Sequence, residues 1–147
     1  MAVTGSAGDV SGGDADRTRE ATIAFIDIVQ FTSLTDVHGD SVGADAATAL
    51  ERSAREQDDA DSTLIKATGD GVLVEYSTPL VALNRVGMII ERVHDLGLEA
   101  RAGVDQGVVV VRRRDVFGRT VNLAARLATV AEPGMIAMTR PVALVAG

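Results

Sequence analysis

Two aspartates stand at positions where their side chains could carry chemistry. Asp27 closes an apolar, β-rich run that begins at Ala21, and Asp70 lies in the glycine-containing segment 68–71 between two further apolar runs. If the three runs form neighbouring strands, both carboxylates emerge at one edge of the sheet. Two hard oxygen ligands, with coordination positions left open for substrate oxygens, suit Mg²⁺. The alternative is that each aspartate serves only a strand end or a turn, where this residue is common.

Asp115, Asn122 and Arg126 form a second group, in which the residues are separated by seven and four positions. Those separations are close to whole helical turns, so the spacing predicts that one helix presents all three side chains on one side. An arginine guanidinium beside an asparagine amide is suited to stabilising charge on a phosphoryl group in transfer. A solvated amphipathic face is the alternative interpretation.

Two segments are candidates for phosphate contact. If a helix begins at Phe31-Thr32-Ser33, its first N–H groups form an anion site that could hold a triphosphate, and Phe31 and Thr32 are then predicted to bind substrate. An ordinary capped helix is the alternative. Residues 112–114 are three consecutive arginines, which either contact phosphate as well or form a solvated loop.

These groups must be positioned by the elements that the hydrophobic pattern predicts. The predicted strands are residues 21–28, 62–67, 72–76, 98–111 (one strand, or two broken near Gly107) and 135–138, and the predicted helices are residues 43–55, 79–96 and 116–130. This order predicts an α+β fold with a ferredoxin-like βαββαβ core and an αβ extension, in which helices lie on one face of an antiparallel sheet.

The chain has the length of one domain, since 147 residues leave no room for a second. Residues 1–18 consist largely of small and polar residues with few large apolar side chains, and they are predicted to be a flexible N-terminal lead-in. Residues 19–147 are the predicted domain.

Composition excludes several classes of function. The chain has no cysteine, which rules out disulfide scaffolds, cysteine-based zinc sites and thiol catalysis. Its net charge of −7 argues against nucleic acid as a partner, because such binding needs clustered cations. No apolar run approaches the roughly 18 residues that a membrane span requires. The N-terminus also lacks the features of a signal peptide, so a cytoplasmic protein without a membrane partner is expected.

Four segments together resemble the catalytic domain of class III nucleotidyl cyclases, in particular the adenylyl cyclases of actinobacterial type. They read FIDIVQFT at residues 25–32, KATGDG at 66–71, RAGVDQG at 101–107 and DVFGRTVNLAAR at 115–126. The resemblance spans about residues 21–139, and four ordered motifs at compatible spacing make it specific. It implies an adenylyl cyclase, which converts ATP to 3′,5′-cyclic AMP and pyrophosphate when the 3′-hydroxyl attacks the α-phosphate in line.

The resemblance also implies a role for each matching residue. Asp27 and Asp70 would bind two Mg²⁺ or Mn²⁺ ions, with the Ile28 carbonyl assisting. Asn122 would orient the ribose, and Arg126 would stabilise the transition state. In this family the metal ligands of a site come from one chain and the transition-state residues from another. A homodimer with two complete interfacial sites is therefore expected.

By the same resemblance, Lys66 and Asp115 would select the base, and Lys66 is the single lysine among fourteen basic residues. Adenine offers a ring acceptor at N1 and an exocyclic donor at N6, which a lysine ammonium and an aspartate carboxylate match. Guanine reverses both, so it would leave buried charged groups mispaired.

Two alternative functions stay open. One is a guanylyl cyclase, which a glutamate in place of Lys66 would have favoured. The other is a cyclase-like domain that serves only as a nucleotide-binding or dimerisation module. Such a module would be expected to lack a metal-binding aspartate or the pair formed by Asn122 and Arg126, and this sequence has them all.

The sequence also departs from the family pattern. Gln30 stands where the family often has glycine, and Met135 stands about where some members carry a phosphate-binding lysine. The segment 107–115 is short, which suggests a reduced dimerisation arm. The chain ends before the elements that usually complete the domain, so a C-terminally truncated domain is one expectation.

Overall fold

A computed structural model describes residues 16–146 of the chain. The strongly apolar runs form strands, and the segments with apolar residues at spacings of three and four form helices. The elements in chain order are β1 (Arg17–Ile28), α1 (Phe31–His38), α2 (Asp40–Arg55), β2 (Ser62–Ala67), β3 (Gly71–Tyr76), α3 (Pro79–Asp95), β4 (Ala100–Arg112), β5 (Asp115–Phe117), α4 (Arg119–Val130), β6 (Ile136–Met138) and α5 (Arg140–Ala146).

The strands form one sheet in the order β2-β3-β1-β4-β5, and β1 lies between β3 and β4. All neighbours along this path are antiparallel, which confirms the predicted ferredoxin-like core. The short strand β6 pairs in parallel with the first half of β4, so the complete sheet is mixed. Because β4 hydrogen-bonds to β1, β5 and β6, it holds the core and the αβ extension together.

Helices cover both faces of the sheet. The alternation of side chains along β1 sends Ala24 and Ile26 to one face, where α2, α3 and α5 pack, and sends Ile23 to the other. The two core helices therefore share one face, as predicted. Helix α4, which belongs to the extension, contributes Ala124 to the second apolar cluster and lies on the opposite face.

The structure corrects one prediction that bears on the site. Residues 116–130 were expected to be a single helix, but Asp115 and Val116 lie in β5, where Val116 pairs with Val111 of β4. Gly118, at φ 119°, then turns the chain into α4. This conformation suits glycine, because it lacks the Cβ that other residues would crowd. The prediction that Asp115 shares a helix with Asn122 and Arg126 is therefore wrong.

Smaller differences concern the start of β1 and two short helices. β1 begins at Arg17 rather than at Ala21, because Arg17 finds a partner in Val111 of the long β4. The predicted lead-in otherwise falls on residues 1–15, which lie outside the described residues. Helix α5 was not predicted, and α1 was considered only as the condition for an anion site at Phe31. Within residues 16–146, no helix is both long enough and apolar enough to cross a bilayer.

Candidate functional site

Asp27 and Asp70 meet at one edge of the sheet. Asp27 is the penultimate residue of β1, paired in register with Gly71 of β3 on one side and Arg101 of β4 on the other. Asp70 directly precedes β3, and its backbone oxygen accepts a hydrogen bond from the Ile28 N–H at 3.0 Å. The antiparallel pairing of β1 and β3 therefore brings the two carboxyl-bearing segments together, as the sequence pattern suggested.

The carboxyl group of Asp27 lies in an unusual electrostatic environment. The residue is only 7% exposed, and the Arg101 Nε donates to its Oδ1 at 3.1 Å. Burial raises the pKa of the Asp27 carboxyl, the Arg101 guanidinium opposes that rise, and the nearby charge of Asp70 adds to it. The net direction is upward, so the folded protein favours the charged form less than water does.

These residues fit a divalent cation. Two carboxylates that repel each other in a partly desolvated place are stabilised when a cation binds between them, and hard oxygen donors are what Mg²⁺ and Mn²⁺ prefer. Among residues 16–146 no group of three or more histidine, aspartate or glutamate side chains is arranged to hold a metal. A cation held by Asp27 and Asp70 would therefore complete its coordination with backbone, water or substrate oxygens.

Arg101 is a site residue that sequence reasoning did not single out. Its Nε contacts Asp27, while its Nη1 donates to the Thr129 carbonyl in the last turn of α4 at 3.1 Å. It links the carboxylate edge to α4. The predicted antiparallel pairing of β1 with β4 could have identified it, because the register of that pairing places Arg101 directly beside the buried Asp27.

Lys66 and Asp115 form an ion pair. Lys66 Nζ lies 2.9 Å from Asp115 Oδ2 and 5.8 Å from the centre of the Phe117 ring. The strands β2 and β5, which carry them, stand at opposite ends of the strand order, so the sheet must curl strongly to bring them into contact. Their side chains are 44% and 32% exposed, which leaves both accessible to a ligand.

Asn122 and Arg126 are exposed and lie one turn apart on α4, while Ala124 and Ala128 are fully buried against the sheet. Within residues 16–146, Arg126 forms no side-chain salt bridge. The structure therefore brings these two polar side chains onto one free helix face, as predicted, but without Asp115.

Helix α1 begins at Phe31, as the anion-site prediction required. The preceding Gln30 is in the left-handed conformation (φ 58°, ψ 37°) and its side chain makes no capping hydrogen bond. Phe31 is partly buried against the core, and Thr32 follows it in the first turn. Gln30 thus occupies a conformation that glycine adopts without strain. This gives a physical reason for the glycine that often stands at this position in the resembling family.

The family model described as "Adenylate and Guanylate cyclase catalytic domain" matches residues 14–146. A pH-sensitive adenylate cyclase of Mycobacterium tuberculosis is 36% identical over 120 residues, which cover 80% of this chain and 30% of that protein. An adenylate cyclase of Streptomyces coelicolor is 34% identical over 120 residues, covering 77% of this chain and 30% of that protein. The chain thus spans about 30% of the length of these relatives.

Solved structures show the same fold. A bacterial light-regulated adenylyl cyclase superposes with a TM-score of 0.73 at 20% identity, over 88% of this chain and 45% of that chain. The catalytic core of a rhodopsin-guanylyl cyclase with converted specificity, in complex with ATPαS, gives a TM-score of 0.73 at 20% identity over 88% and 82% of the two chains. The family match covers every element from β1 to α5 and all four sequence motifs. The chain therefore belongs to the adenylate and guanylate cyclase catalytic domain family.

Proposed function

We propose that the chain is the catalytic domain of an adenylyl cyclase, which forms 3′,5′-cyclic AMP and pyrophosphate from ATP. The observation that carries the choice of ATP is the pair formed by Lys66 and Asp115, whose charged atoms lie 2.9 Å apart. The pair places a donor and an acceptor side by side, and the adenine edge needs one of each. The adenylate cyclases of Mycobacterium tuberculosis and Streptomyces coelicolor support the same assignment.

At the phosphate end of the proposed site, Asp27 and Asp70 would hold two divalent cations, Mg²⁺ or Mn²⁺, with help from the Ile28 carbonyl. When bound, the cations would favour ionisation of the substrate's 3′-hydroxyl and neutralise charge on the triphosphate. The N–H groups in the first turn of α1, which begins at Phe31, supply further positive potential for phosphate oxygens. Phe31 and Thr32 therefore belong to the proposed substrate contacts.

At the base end, the Lys66 ammonium donates to adenine N1, and the Asp115 carboxylate accepts from N6. In the absence of nucleotide the two groups satisfy each other, and Phe117 adds a cation–π contact to Lys66. A guanine would present N1–H to the ammonium and O6 to the carboxylate, so both charged groups would lose their partners. Such mismatches give strong discrimination.

The transition state is stabilised by Arg126, and the ribose is oriented by Asn122. Both side chains point away from the sheet of their own chain, because the opposite side of α4 is buried against β4. This orientation supports a homodimer in which α4 of one chain completes the site at the carboxylate edge of the other. Each dimer then holds two sites.

The assignment is tested by incubating purified protein with Mn²⁺ and either ATP or GTP, and measuring cyclic nucleotide by mass spectrometry. We expect cyclic AMP from the parent chain and at least a 100-fold loss in Asp27→Asn, which is about the effect of removing one transition-state stabiliser. Asp95→Asn, at the exposed C-terminal end of α3, is the matched control and should retain activity. Preferential formation of cyclic GMP would favour a guanylyl cyclase, and absence of any cyclic product would favour a nucleotide-binding module.

A further inference from the structure

Helix α4 approaches β4 more closely than any side chain on the strand would permit at Gly103. A Cβ atom built on Gly103 would lie 2.2 Å from the Ala124 carbonyl oxygen and 2.5 Å from the Ala128 nitrogen. Real Cβ atoms essentially never come within 3.0 Å of another heavy atom. The obstructing atoms belong to the helix backbone, so no change of rotamer can relieve the conflict.

Gly107 provides a second close approach under the same helix. A Cβ built there would lie 2.7 Å from the Thr120 Oγ1, which donates to the Val108 carbonyl at 2.9 Å. Four residues of strand cover about 13 Å, and the helix from Thr120 to Ala128 covers about 12 Å. The helix therefore lies along β4 and runs opposite to it, supported near both ends by a glycine.

Hydrogen bonds at the two ends of α4 hold the helix at this short distance from β4. The Thr120 hydroxyl bonds to β4 at the first turn, and Arg101 bonds from β4 to the Thr129 carbonyl at the last turn. Ala124, whose carbonyl oxygen would meet the Cβ, stands between Asn122 and Arg126 in the chain. Any displacement of the helix at this point moves both of those side chains.

We propose that Gly103 is a positioning residue for catalysis, because the absence of its side chain sets the depth at which α4 presents Arg126 and Asn122. This inference rests on the proposed cyclase function. Although Gly103 lies in the sheet close to Asp27, its effect is on the site to which α4 contributes, which in the proposed dimer is the other site.

The first test is the variant Gly103→Ala. The added methyl group requires the contact at 2.2 Å to open to at least 3.0 Å, and a misplacement of roughly 1 Å can cost about 100-fold in rate. We expect kcat to fall by about that factor with little change in KM for ATP, because Arg126 acts in the transition state. Gly87→Ala is the matched control, since a Cβ at Gly87 in α3 meets nothing within 4 Å. A kcat for Gly103→Ala within threefold of that control would overturn the inference.

The second test assigns Gly103 to one half of the site, by co-expressing chains with different tags and purifying mixed dimers. In a mixed dimer with Asp27→Ala, one site takes intact metal ligands from the Gly103→Ala chain and an intact α4 from the Asp27→Ala chain. One of the two sites should therefore work, and about half of the parental activity should return. With Arg126→Ala, each site contains a defective α4, so no recovery is expected. Recovery with Arg126→Ala, or recovery with neither partner, would overturn the inference.

The pair Asp27→Ala with Arg126→Ala separates the inference from the proposed function. If that pair recovers activity, the shared site holds and the Gly103 results are decisive. If it does not recover although mixed dimers form, the shared site fails, and the inference fails with it.

A milder variant covers the case in which Gly103→Ala does not fold. Gly107→Ala conflicts only with the Thr120 hydroxyl, so we expect a loss of kcat on the order of tenfold. Adding Thr120→Ala removes the atom at 2.7 Å, after which the closest remaining Thr120 atom is its Cβ at 3.8 Å. The double variant should then match Thr120→Ala alone. An unchanged kcat in Gly107→Ala, or the same loss in the double variant, would contradict the proposal.

Discussion

At the scale of single residues, Asp27 combines a buried position with a negative charge. Burial raises the pKa of its carboxyl group despite the contact with Arg101. A carboxyl with a raised pKa binds its proton more tightly in the folded state than in the unfolded state. Between the usual carboxyl pKa and the raised value, the unfolded chain therefore loses its proton first, and stability falls as pH rises. The proposed metal ligand Asp27 thus destabilises the metal-free fold as pH rises above the usual carboxyl pKa.

We therefore expect Asp27→Asn, measured in metal-free buffer, to gain stability relative to the parent as pH rises from acid to neutral. The measurement is the free energy of unfolding by urea at a series of pH values. Asp59 gives the opposite sign, because its hydrogen bond to Arg85 lowers its carboxyl pKa. Asp59→Asn should lose stability relative to the parent over the same rise in pH. A difference between Asp27→Asn and the parent that does not vary with pH would contradict this account.

A second residue-scale prediction concerns Lys66 and Asp115. Replacing both, as Lys66→Glu with Asp115→Gly, removes the ammonium proposed to face adenine N1 and the carboxylate proposed to face N6. Discrimination based on buried polar partners can reach a thousandfold or more, so kcat/KM for ATP relative to GTP should fall by roughly that order. The ratio is obtained from initial rates with each nucleotide. An unchanged ratio would mean that other residues read the base.

At the scale of elements, the start of α1 is strained at one position. Gln30 has φ 58° and ψ 37°, and a left-handed conformation costs a residue with a Cβ roughly 1–2 kcal/mol. Gln30→Gly should therefore raise the free energy of unfolding by up to about 1 kcal/mol, once the greater freedom of glycine in the unfolded chain is subtracted. Thermal unfolding followed by circular dichroism measures the shift. Ser33→Gly, inside the same helix, is the contrasting control and should lower the free energy of unfolding. Equal changes in the free energy of unfolding in both variants would rule out strain at Gln30.

The elements also show which structural features can be predicted from sequence patterns and which cannot. Apolar runs located β2, β3 and α3 closely and gave the correct C-terminal end of β1, and the antiparallel order then placed Asp27 beside Asp70. The hairpin of β4 and β5 was missed because Val116 fits a helical pattern as well as a strand, and only pairing with Val111 decides between them. Sheet curvature, which brings Lys66 to Asp115, has no local signal. Neither does the approach of α4 to Gly103, because a glycine in a strand gives no indication of what lies above it.

At the scale of the whole molecule, the proposed dimer makes a quantitative prediction. Asp27→Ala and Arg126→Ala should each be inactive alone, yet a mixed dimer contains one site with both lesions and one intact site. With equal amounts and free exchange, half of the dimers are mixed, so activity should return to roughly a quarter of the parental value. The measurement is cyclic AMP formation after subunit exchange, and a mixture of either variant with itself is the control. A site built within one chain could not recover in this way.

The long strand β4 also limits how the chain can change in length. It pairs with β1 from Ala100 to Val111 and carries β5 at its far end, so its residue count fixes where the hairpin begins. Inserting one residue would turn every later side chain of β4 to the opposite face. Inserting two would restore the faces but carry β5 about 7 Å along the sheet, which is far beyond the 2.9 Å between Lys66 and Asp115. Insertions and deletions should therefore be tolerated in the turn at residues 113–114, between β4 and β5, and excluded from the strand itself.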